Sequence, residues 1–170
     1  MTRLWKETGF VTDDPWVIET EEVKAEGNQR PLLDLEAVIA RADESNDVGL
    51  GVLLKPSDDV SRLEPYLYRL ELIAVSFPAF NDGRGFSQAS LLRERLGFAN
   101  EIRAVGDVLI DQIPLMIRCG IDSFAVSNAT ALKRLEEGRL PGIAEHYQPT
   151  VKAAEKTQSY SWRRTAKPAA

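Results

Sequence analysis

The chain carries one cysteine, Cys119, and one histidine, His146, among its 170 residues. A lone thiol excludes an internal disulfide and points to a reducing compartment. It cannot supply the four thiolates of a usual iron–sulfur cluster, and no cysteine or histidine pair is at hand to begin a zinc site. Neither an iron–sulfur cluster nor zinc is therefore expected, and no residue is assigned as a metal ligand, although carboxylates alone can hold a hard divalent ion. Long apolar runs are missing as well. Leu50 to Leu54 and Leu72 to Val75 fall far short of the ~20 residues a membrane helix requires. Met1 to Asp14 mixes charges with isolated apolar residues, unlike an export signal. Nor is there a basic excess: 21 Lys and Arg face 26 Asp and Glu, a formal net charge of −5, opposite in sign to a nucleic-acid binder. The expectation is a cytoplasmic protein with neither membrane nor nucleic acid as a partner.

What is present is a core. With 44% hydrophobic residues the chain can bury an interior without staples, and its length is that of one domain. Four nearly uniform apolar runs, Gly49–Leu54, Glu71–Phe77, Glu101–Val105 and Asp122–Ser127, read as strands buried on both faces. Helical spacing separates them. Val60, Leu63, Leu67 and Leu70 form one stripe, capped by Ser57 or Asp58 and disturbed by Pro65. Ser87 is expected to cap a helix that buries Leu91, Leu92 and Leu96 and stops at Gly97. Asp111 is expected to cap the next, which tolerates Pro114 in its first turn and ends at Gly120. A fourth runs from about Ala129 to Glu137, before Gly138. The alternation predicts an α/β fold with a mainly parallel sheet built from successive β-α units, an open sheet being favoured over an incomplete barrel. Upstream, Leu32, Leu35, Val38, Ile39 and Ala42 fit a helix face, and Trp16–Glu19 an edge strand or hairpin arm. The expected domain covers residues 1–148, including an N-terminal arm over 1–30. A polar tail over 149–170 carries Lys152, Lys156, Arg163, Arg164 and Lys167 against Glu155, with Tyr160 and Trp162 as a candidate docking patch.

Ligands of parallel α/β folds meet the loops after the C-terminal strand ends. That rule selects residues 78–85, 106–112 and 128–130. In the first, Asn81-Asp82-Gly83-Arg84-Gly85 leads into a helix. Arg84, Gly85, Ser87 and Gln88 form a candidate anion-binding set, combining a fixed positive charge, free backbone angles and helix N–H donors. The alternative is a plain Asp-Gly turn with a helix cap. The Gly-Lys-Ser/Thr ending of a nucleotide phosphate loop is absent. Asp107 and Gln112 are the candidate catalytic residues of the second loop, as base and as amide donor and acceptor. Cys119 reads as a buried structural thiol, and His146 as a surface or tail-anchoring side chain.

The runs from Asp82 to Gln88 and from Arg103 to Leu109, with Asp111-Gln112, resemble the signature core of an uncharacterised bacterial family. The segments Arg118 to Phe124 and Tyr147-Gln148-Pro149 extend the likeness, which spans roughly residues 30–150. Members of that family are named for an oxidoreductase role in sulfite reduction, because their genes accompany those of sulfite reductase. The resemblance implies a place in assimilatory sulfur metabolism, with sulfite-reduction enzymes as partners. The first expectation is an accessory protein of that machinery, since the chain lacks redox-cluster ligands of its own. The second is an enzyme of small anions using Arg84, Asp107 and Gln112. The third is an oxidoreductase with a non-standard flavin or nicotinamide site, the Gly-x-Gly-x-x-Gly fingerprint being absent. No cofactor is assigned.

Overall fold

The computed structural model describes residues 2–19 and 23–141. Its centre is an eight-stranded sheet: β1 (Arg3–Lys6), β2 (Gly9–Val11), β3 (Trp16–Ile18), β4 (Arg30–Asp34), β5 (Leu50–Leu54), β6 (Leu70–Phe77), β7 (Glu101–Gly106) and β8 (Ser123–Val126). Their spatial order is β2-β1-β8-β7-β6-β5-β4-β3. From β3 to β8 all neighbours are parallel and sequential, while β1 runs antiparallel to both β8 and β2. The four central apolar runs thus become β5 to β8, with ends moved by at most a residue or two. Arg30–Asp34 is a strand rather than the opening of a helix, because Leu32 pairs with Gly51 and the helix waits for Asp34 to cap it through Ala37 N–H at 2.9 Å.

The helices are α1 (Leu35–Glu44), α2 (Arg84–Ser90), α3 (Ile113–Arg118) and α4 (Ala129–Glu136). A 3-10 helix over Val60–Arg69 replaces the expected α-helical stripe. Pro65 cannot donate inside an α-helix, and Asp59, rather than Ser57 or Asp58, caps it through Ser61 N–H at 3.0 Å. α2 starts at Arg84 with Gly83 in the capping position, so Ser87 lies inside the helix and caps nothing. The helix continues through a π-helical turn, Leu91–Arg95, which turns Leu91 outward while Leu92 is fully buried. Gly97 then stops it at φ +66°. In α3, Gln112 rather than Asp111 occupies the capping position, since the Leu109 carbonyl already accepts from both Gln112 and Ile113 N–H. Pro114 does sit in the first turn. No helix among the described residues is long and apolar enough to cross a membrane.

Sequential parallel strands send every right-handed crossover to the same side. One sheet face therefore packs on the helices, through Val52, Leu54, Ile73, Val75, Phe77, Ile102, Ala104 and Phe124. The opposite face carries Leu32, Leu72, Ala74 and Val105, with Trp16 and Leu53 packed against them. The sheet is an open, strongly curled half-barrel. Only residues 12–15 join β2 to β3, which are its opposite edges. An extended chain over that gap reaches at most ~18 Å, whereas the edges of a flat eight-stranded sheet lie roughly 34 Å apart. The curl closes toward the face that carries no helix among the described residues, where Arg103 of β7 reaches across to Asp14, just before β3, at 2.7 and 3.0 Å.

Candidate functional site

The sequential strand order leaves no reversal point of the kind that forms a crevice in doubly wound sheets. The candidate residues instead occupy neighbouring loops at the C-terminal ends of β6 and β7. Gly106, at φ +97°, lets the chain pass directly against the Phe77 backbone, where a side chain would overlap the carbonyl oxygen. Asp107 N–H donates to that carbonyl at 2.7 Å. Gln112 Nε2 donates to the Phe80 carbonyl at 3.1 Å, so the 106–112 and 78–83 loops are joined.

The anion-binding candidates are heavily engaged within the chain. Arg84 donates through Nε to Asp82 Oδ1 at 2.9 Å and through Nη2 to Asp82 Oδ2 at 2.7 Å. Its side chain is 62% exposed, and the pair holds the Asp82 carboxyl below its usual range. Gly85 packs beneath the Phe77 ring, which leaves 2.7 Å for a methyl group. Ser87 is exposed within α2. Gln88 is only 5% exposed, and its Nε2 donates to the carbonyls of Lys55 at 2.8 Å and Asp58 at 3.1 Å. It ties α2 to the loop after β5. Its Oε1 is buried and has no hydrogen-bond donor. Asp107 and Asp111 are both exposed.

Of the other reactive groups, Cys119 is half-buried after α3, and burial pushes its thiol up against the opposing pull of a Ser90 hydrogen bond. His146 and the tail aromatics lie outside the described residues. Among the described residues, no three His, Cys, Asp or Glu side chains gather as a metal site.

A second polar cluster escaped the sequence reading. On the face without helices, Arg103 has a side chain 5% exposed and also bonds Glu101 Oε1, through Nη2 at 2.9 Å. Glu101 in turn accepts from Lys6 Nζ at 2.6 Å and Ser123 Oγ at 2.7 Å. This cluster ties β1, β7 and β8 to the segment before β3 and lies near the opposite strand ends from the joined loops.

A family model described as "Bacterial protein of unknown function (DUF934)" matches residues 51–157, more than half of the chain. The chain belongs to this family. The DUF934 match begins inside β5 and takes in both joined loops. It starts later than the resemblance read from the sequence, and it extends past Pro149 into the basic tail. The strands β1 to β4, and with them Asp14 and Lys6, precede the DUF934 region. No curated protein and no solved structure matches the chain.

Proposed function

We propose that the protein is a binding or accessory component of sulfite reduction that does not itself carry the reducing centre. The observation that supports this over small-anion catalysis is the commitment of the loop's polar groups to the chain itself. Arg84 is clamped by Asp82, and both protons of the Gln88 amide go to backbone carbonyls. A free oxyanion would have to displace Asp82, a carboxylate already holding the guanidinium in two-point geometry. The sulfur assignment rests on the family resemblance. A clean deletion grown on single sulfur sources tests it: growth on sulfate or sulfite should fall, with growth on sulfide or cysteine spared. Equal growth on all four, in a strain without a second copy, removes the assignment.

The anion reading keeps one observation in its favour, the exposure of Arg84 beside Asp107 and Gln112 on joined loops. Arg84→Gln distinguishes the two. If it abolishes sulfite or phosphate binding that the parent shows at millimolar concentration, the enzyme reading takes precedence. A flavin band in the visible spectrum of the purified protein would select the oxidoreductase instead.

A further inference from the structure

Phe80 stands 61% exposed at the joined loops, after the exposed Pro78 and Ala79. Tyr68 is more exposed, at 73%, but the Arg69 guanidinium lies 5.3 Å from its ring and Arg69 Nε donates to its hydroxyl. Among the described residues, no ring or cation stacks on Phe80. Its backbone is nevertheless held. The Phe80 carbonyl accepts from Gln112, the Ala79 carbonyl accepts from Asp82 N–H at 3.0 Å, and the Phe77 carbonyl accepts from Asp107 N–H. A loop whose backbone is held in this way has little left to order when its aromatic side chain docks.

The loop joined to Phe80 through Gln112 carries two exposed carboxylates. Asp107 sits at the loop junction and Asp111 adjoins Gln112; both are exposed, and neither is paired with a cation among the described residues. Arg84, the cation nearest in sequence, is neutralised by Asp82. We propose that Phe80 anchors a protein-docking surface and enters an apolar pocket that the partner edges with Arg or Lys. The proposal rests on the accessory reading and specifies the chemistry of its partner. Complementary charge around a buried aromatic centre sets orientation and association rate, while the ring supplies the contact energy.

The test replaces Phe80 with the photo-crosslinker benzoylphenylalanine in the full chain, expressed in its bacterial host, and maps the adduct by mass spectrometry. The expected adduct is with one other protein, within an apolar pocket flanked by Arg or Lys. Its yield should drop about tenfold when Asp107→Lys and Asp111→Lys are added, and the same probe at Tyr68 should give none. Absence of an adduct above the Tyr68 level, an adduct only with a second copy of the chain, or a yield indifferent to charge reversal overturns the proposal. Complementation separates it from the sulfur assignment. If Phe80→Asp, unchanged in thermal unfolding, restores sulfate growth as well as the parent does, the surface is refuted and the sulfur role stands. If the expected adduct forms but deletion causes no growth defect, the surface stands and the sulfur role is lost.

Discussion

Arg103 brings a positive charge into the middle of a sheet, and its neutralisation draws on two carboxylates. Asp14 meets it with both oxygens and Glu101 Oε1 accepts from both Nε and Nη2, leaving the guanidinium side chain 5% exposed. Removing the cation strands the partly buried Asp14 and leaves Glu101 with Lys6 as its remaining ion-pair partner, so Arg103→Met should cost about 3 kcal/mol of stability by urea unfolding. Asp14→Asn should cost less, and the double variant should recover part of the loss. Glu101 adds a pH dependence. Burial raises its pKa, but hydrogen bonds from Lys6, Ser123 and Arg103 outweigh that and hold it below the ordinary 4.5. The folded chain therefore keeps this carboxylate ionised to lower pH than the unfolded chain. The stabilisation is complete above about pH 4.5 and is lost as pH falls through the lower folded value. Glu101→Gln should accordingly be less stable than the parent near pH 7, with the gap narrowing below pH 4.5 in a unfolding series. A charged residue inside an apolar run was a readable irregularity. Its partner, 89 positions away, was not. Gln88 was likewise legible as a polar residue near a loop, but its two acceptors are carbonyls of another crossover, and composition carries no trace of them.

At the scale of elements, the glycines that end or join segments differ in what they tolerate. Gly97 stops α2 and its π-helical turn at φ +66° with open space around the missing side chain, whereas Gly106 combines φ +97° with contact against the Phe77 backbone. Gly97→Ala should lower stability by roughly 1 kcal/mol through backbone strain alone. Gly106→Ala should cost about 2–3 kcal/mol, since strain and overlap add. It should also separate the two loops, which nuclear magnetic resonance would detect as a shift of the Gln112 side-chain amide. The central strands were legible because parallel strands buried on both faces are almost wholly apolar. Caps were less so. Ser87 and Asp111 have the right chemistry, but the actual boundary is set by which carbonyl the preceding turn occupies, as the double acceptance at Leu109 shows. The short β1 and β2 left no periodic signal, and the strand that carries their hairpin into the sheet, β8, lies more than a hundred positions later.

For the whole molecule, the curl makes the middle of the sheet the most enclosed region. Amides of Ile73, Val75, Ile102 and Ala104 should exchange with deuterium most slowly, and those of the edge strands Gly9–Val11 and Trp16–Ile18 fastest among the strands. Uniform protection across all eight strands would contradict an open sheet. Whether such a sheet lies flat or curls cannot be read from periodicity, because the curl depends on a four-residue connection between strands at opposite edges. The same arrangement fixes an order of events in the cell. Arg3 is bound to Glu136, 133 positions later, and β1 has no neighbour on that side until β8 is made. At a synthesis rate of about 5–20 residues per second, roughly 6–24 s separate Leu4 and Trp5 from the strand that completes their pairing, β8. Both are buried once the fold is complete. A nascent chain thus carries β1 open on one side until β8 is made, a natural substrate for a holding chaperone. Trp5, which meets Phe124 with ring centroids 5.6 Å apart, is the fluorophore placed to report when the sheet is sealed.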